Sequence, residues 1–138
     1  MNKQWLQQAH AVIAAVLTSA SVSFATQTHA AQLLIIEEEY CPYCAAFNRE
    51  IAPIYPKTIE GKRAPIRRID IADPWPEDLS YIEPESITPT FILVDNGKEI
   101  DRLYGYAGDE FFWFLLAEMF AKLEQQENEI ETENSSTK

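Results

Sequence analysis

Leu33-Leu34-Ile35-Ile36 is an unbroken apolar run, the pattern of a short strand covered on both faces, and it stops at Glu37-Glu38-Glu39-Tyr40. Beyond Cys41-Pro42-Tyr43-Cys44, the positions Cys44, Phe47, Asn48, Ile51 and Tyr55 recur at helical spacing. Pro42 suits a first helical turn, where its missing N–H has no partner to lose, and Pro53 and Pro56 end the helix. Residues 65–71 predict a second strand. Residues 72–87 hold Pro74, Pro76 and Pro84 and read as a loop with one short helix near 77–82. Phe91-Ile92-Leu93-Val94 predicts a third strand. Asn96-Gly97 then supplies the pair that a two-residue hairpin prefers, because both residues need positive φ. Residues 99–106 form the return strand.

Asp109 is placed to cap a last helix, in which Phe112, Leu115, Leu116, Met119, Phe120 and Leu123 make one apolar stripe facing the core. Residues 124–138, with five Glu, one Lys and a single Ile, read as an acidic disordered tail. The order is β-α-β, a loop, then β-β-α. That order predicts an α/β domain over residues 31–123, with a four-stranded mixed sheet and flanking helices.

Composition narrows the function. A hydrophobic fraction of 46% in 138 residues supports one packed domain, and 11 Lys+Arg against 22 Asp+Glu leave a net charge of −11. A nucleic-acid binder needs a basic face, so that class is excluded. Two cysteines exclude a disulfide-stapled mini-protein and a four-cysteine zinc site. The two histidines, His10 and His29, both lie in the first thirty residues, so metal binding and Ser-His-Asp catalysis are set aside by inventory.

Residues 1–30 read as an export signal: Lys3 near the start, an apolar stretch from Ala11 onward, and small-residue exits at Ser23-Phe24-Ala25 and Thr28-His29-Ala30, of which the second is preferred. The competing reading is an uncleaved anchor facing the periplasm. The apolar run is shorter than the ~20 residues that span a bilayer, and Thr18, Ser19, Ser21 and Ser23 dilute it. Export would carry Cys41 and Cys44 into an oxidising compartment.

The chemistry then rests on those two cysteines. At a strand-to-helix junction, Cys41 stands at the helix N-terminus, where free N–H groups and the macrodipole stabilise a thiolate. Cys44, one turn on, is close enough to resolve a mixed disulfide. This makes Cys41 the nucleophile and Cys44 the resolving thiol. A purely structural disulfide and half of a shared zinc site are the competing readings; haem attachment is not, because Ala45 stands where a histidine is needed. Glu37, Glu38 and Glu39 oppose the dipole. We expect the dipole to win, with Cys41 less acidic than in a strong oxidant, which favours a reductant.

Cys41-Pro42-Tyr43-Cys44 after a buried strand, with Thr88-Pro89 ahead of a later strand and an Asn-Gly hairpin, resembles the thioredoxin superfamily over roughly residues 32–123. The resemblance implies that Pro42 and Tyr43 support the site. It also implies a cis bond before Pro89 beside the cysteines, with the backbone of Thr88 turned to receive a substrate chain as an added strand. Thioredoxins carry a buried Asp six residues before the first cysteine. Ile35 holds that place here, which makes Glu37 the substitute proton acceptor or, alternatively, a solvated strand end.

Tyr40 to Cys44 is similar to the glutaredoxin site, which would imply glutathione. However, Gly105-Tyr106-Ala107-Gly108-Asp109 lacks the paired glycines of that branch. Arg49 to Pro56, residues 64–71 and Asp109 to Trp113 are similar to the exported thioredoxins of bacterial sulfur oxidation. That likeness implies a periplasmic, monomeric, cofactor-free oxidoreductase that reduces a partner protein and draws electrons from a membrane thiol relay. Other readings are a redox-sensing regulator, a binding module with an inert disulfide, or a glutathione-dependent enzyme. Trp75 either lines the substrate groove or anchors its loop in the core.

Overall fold

The computed structural model describes residues 31–136; the expected signal segment lies outside them. The chain runs β1 (Gln32–Glu37), α1 (Pro42–Glu50), a 3-10 turn (Tyr55–Lys57), α2 (Ile59–Arg63), β2 (Ile66–Asp70), a second 3-10 turn (Glu77–Leu79), β3 (Thr90–Asp95), β4 (Lys98–Tyr104) and α3 (Asp109–Ser136). The four strands form one mixed sheet in the order β2-β1-β3-β4. β1 is parallel to β2 and antiparallel to β3, and β3 is antiparallel to β4. This is the thioredoxin-like architecture the element order predicts.

β1 and β3 are central, which is why their apolar runs show no alternation: Leu33 to Ile36 and Phe91 to Leu93 are all fully covered. Leu33, Ile35, Phe91 and Leu93 face a cluster with Phe47 and Ile51 next to α1, and Phe112, Leu116, Met119, Phe120 and Leu123 of α3. The opposite residues Leu34, Ile36, Ile92 and Val94 pack on Leu79, Ile82 and the partly buried Trp75. The flanking helices therefore gather on one face, and the loop before β3 seals the other. Trp75 is a loop anchor, its indole N–H donating to the Leu79 carbonyl at 3.0 Å. Asn96 (φ 47°) and Gly97 (φ 73°) make the expected hairpin turn.

Two elements depart from expectation. α2 follows the 3-10 turn directly: the Thr58 hydroxyl accepts from Gly61 N at 3.0 Å and so caps a helix of only five residues. The α3 helix, expected to stop near Leu123, continues to Ser136, so residues 124–136 are helical rather than a disordered tail. Glu and Gln are good helix formers. Arg63 also holds the first extra turn by pairing with Glu124 and Glu127, its guanidinium 5.7 Å from the centre of the Phe120 ring.

Candidate redox site

β1 leaves the sheet after Glu37, turns through 38–41, and Cys41 becomes the N-cap of α1 in extended backbone (φ −82°, ψ 111°). Its Sγ accepts a hydrogen bond from Cys44 N at 3.0 Å. Pro42 begins the helix, and Cys44, one turn in, is bonded to Cys41 with the Cα atoms 5.2 Å apart. Both cysteines are buried, at 5% and 3% exposure, whereas Tyr40 and Tyr43 beside them are open to solvent. Phe47 holds the helix from below, with ring centres 4.8 Å from Phe91, 5.3 Å from Phe112 and 5.8 Å from Tyr106. The N-terminus that bears the disulfide is thus tied to β3 and α3 by aromatic packing.

Glu37 lies on the same side of β1 as Leu33 and Ile35, the side that α1 covers. Its carboxylate accepts from Arg68 of β2 at 2.7 and 2.9 Å and from the Asn48 amide of α1 at 3.3 Å. With its side chain 20% exposed, it is neither a free strand end nor a lone buried acid. It joins β1, β2 and the second half of α1.

The Thr88–Pro89 bond is cis. Ile36 of β1 pairs with Thr90 of β3, so this bond lies at the sheet end from which the Cys41 loop departs. The Thr88 hydroxyl donates to Glu38 Oε1 at 2.7 Å, linking the loop before β3 to the loop before the disulfide. The Pro89 carbonyl accepts from Gly105 N at 2.7 Å, which ties the end of β4 to the same place. A shallow recess of about 400 Å³ beside the site is lined by Glu38, Glu39, Tyr40, Asp70, Ile71 and Ala72.

The structure thus gathers Glu37, Cys41, Pro42, Tyr43, Cys44, Thr88 and Pro89 at one end of the sheet. Sequence reasoning missed Asn48 and Arg68 as partners of Glu37, and Glu38 as the partner of Thr88. Each of these contacts joins separate elements and leaves no local spacing signal. Among the described residues no group of three or more His, Cys, Asp or Glu is arranged to hold a metal ion.

A disulfide closed across a helix N-terminus is suited to thiol–disulfide exchange, because the dipole and free N–H groups of a helix start favour a thiolate over a thiol. The chain belongs to the thioredoxin-like domain family, whose model matches residues 19–120, and its class is thiol-disulfide oxidoreductase. It is similar to the periplasmic thioredoxin SoxS from Paracoccus pantotrophus in its reduced form, at 43% identity and a TM-score of 0.64, covering 67% of this chain and 98% of that one. Two other solved structures are each 18% identical with a TM-score of 0.48. Malassezia sympodialis thioredoxin covers 64% of this chain and 74% of its own, and Trxlp from Edwardsiella tarda covers 84% and 94%. No curated protein matches.

Proposed function

We propose that this chain is exported by residues 1–30 and works in the periplasm as a monomeric, cofactor-free reductant of a partner protein's disulfide, within sulfur oxidation. The likeness to a periplasmic SoxS supports the compartment and the pathway. No helix among the described residues is long and apolar enough to cross a membrane. Residues 31–123 are the working domain.

In the dithiol form the Cys41 thiolate attacks one sulfur of the partner disulfide, forming a mixed disulfide and releasing the other partner sulfur as a thiol. Cys44, losing its proton, then attacks Cys41 Sγ. The second partner thiol leaves, and the two electrons of the dithiol end on the partner. Two electrons from a membrane thiol relay restore Cys41 and Cys44. Thr88 and Pro89 hold the partner chain as an added strand. Pro42 starts the helix without a wasted N–H, and Tyr43 offers an exposed ring to the partner. Glu37, through Asn48 and Arg68, ties α1 to β1 and β2 and is the acid assigned to support the pair.

The observation that carries this reading is the Cys41 sulfur, at once N-cap of α1 and bonded to Cys44. Cys44→Ser is expected to trap a partner covalently through Cys41, whereas Cys41→Ser traps nothing. Equal trapping by both variants, or by neither, overturns it.

A further inference from the structure

The backbone that enters the cis bond is held by charges that belong to neither cysteine loop. Glu85 folds back on its own turn, and its Oε1 accepts from Ser86 N at 2.7 Å and from Ile87 N at 3.0 Å. Its other oxygen, Oε2, accepts from Arg102 Nη1 at 3.3 Å. Arg102 is itself fixed on β4: Nε and Nη2 each donate to Glu99 at 2.6 Å, and Nη2 also reaches the Glu83 carbonyl at 3.4 Å.

Arg102 pairs across the sheet with Ile92, whose side chain lies on the loop-covered face, so the guanidinium points at the loop that leads to Thr88. The Arg102 and Glu85 side chains are only 17% and 14% exposed, so the ion pair is largely enclosed. The Ile87 carbonyl accepts from the fully buried Thr90 hydroxyl at 2.8 Å, which closes the segment from its far side. Glu85 is held below the ordinary carboxylate range, chiefly by the Ser86 and Ile87 N–H groups and then by Arg102.

The segment 86–90 is therefore gripped at both ends while its middle, Thr88–Pro89, faces the disulfide end of the sheet. A flexible loop would have to be ordered each time a partner strand is added, and that ordering subtracts from binding. We propose that Glu85 and Arg102 are positioning residues that pre-set the Thr88–Pro89 backbone for a protein substrate. This rests on the reading that the partner chain pairs there. Neither residue reaches the sulfurs, so their influence falls on uptake of a polypeptide and spares the intrinsic reactivity of the dithiol.

The test compares a polypeptide disulfide with a small one. Wild type, Glu85→Gln and Arg102→Met are assayed on insulin with dithiothreitol as the recycling reductant, and in pre-reduced form, free of dithiothreitol, on Ellman's reagent, which reacts with thiols without pairing to a backbone. Glu85→Gln keeps the shape and loses the charge, so it remains informative should Arg102→Met not fold. The expected result is a roughly tenfold loss of kcat/KM for insulin, mostly in KM, with the rate on Ellman's reagent within about twofold of wild type. Equal losses on both probes, or no loss on insulin, overturn the positioning role while leaving the oxidoreductase intact. A wild type that reduces neither probe overturns the oxidoreductase reading, and the inference falls with it.

Discussion

Tyr55 and Tyr106 carry phenols that the fold keeps protonated. The Tyr55 hydroxyl donates to the Ala64 carbonyl at 2.8 Å, and that of Tyr106 donates to Glu50 Oε2 at 2.7 Å. Neither bond survives loss of the proton. Burial raises the Tyr55 pKa, helped by the charge of Glu60. Burial and then the Glu50 hydrogen bond raise that of Tyr106. A native pKa above the unfolded value of about 10 gives stability that is fully present below pH ~10 and is lost as pH rises past it toward the native value. An absorbance titration should therefore show two of the six tyrosines refusing to ionise until the chain unfolds in alkali. Tyr55→Phe with Tyr106→Phe should flatten the loss of stability above pH 10. An unchanged slope in the double variant rejects the assignment. At this scale the sequence was partly readable. Tyr55 stood out as a position on the helix face, but its tie to Ala64 depends on a turn that no periodicity announces. Glu37 was legible as a candidate acid. Its pairing with Arg68, 31 residues later, was not.

Among elements, the hairpin and α1 follow from local signals: Asn-Gly demands its turn, and Pro42 followed by helical spacing demands its helix. α2 was invisible, being too short for an amphipathic period, and it exists because the chain folds tightly over Tyr55. A Cβ added at Gly61 would land on the Tyr55 carbonyl, 2.6 Å from its carbon, with Pro56 Cα at 3.0 Å. Both are backbone and neither can swing away. Gly61→Ala should cost at least about 2 kcal/mol in urea unfolding, although alanine is the better helix former; a neutral or stabilising result would mean that this turn is not packed as described.

The acidic end of α3 departs from the sequence expectation for a different reason. Composition signalled disorder, and what sustains the helix is Arg63, remote in sequence, paired with Glu124 and Glu127. Five Glu near a helix C-terminus oppose the macrodipole, so this extension depends on the clamp. Arg63→Ala should speed amide exchange over 124–136 several-fold. It should change global stability by no more than about 1 kcal/mol, because the pairs are partly exposed. Unaltered exchange there would show that intrinsic propensity alone holds the helix.

Across the whole molecule the two faces of the sheet are built differently, and the site depends on both. The helical face presents the disulfide on α1, braced by Phe47, Phe91 and Phe112. The other face is closed by the irregular stretch 71–89, which ends in the cis bond. It is secured by Leu79, Ile82, Trp75 and a few turn hydrogen bonds, among them Leu79 N to Pro76 O at 3.0 Å and Ile82 N to Leu79 O at 2.9 Å. Stretches with few backbone bonds open below the global unfolding free energy. The 71–82 part of this cover should therefore open first, while Thr88–Pro89, held by Glu85 with Arg102 and by Thr90, and the cysteines stay seated. Trp75→Phe keeps most of the apolar contact and removes only the indole N–H from the Leu79 carbonyl. It should cost about 1 kcal/mol overall while raising exchange at Leu79, Ser80 and Ile82 more than in β1 or β3. Native-state hydrogen exchange read by NMR decides the point. Acceleration spread evenly over strands and loop would mean that the sheet and its cover open as one unit.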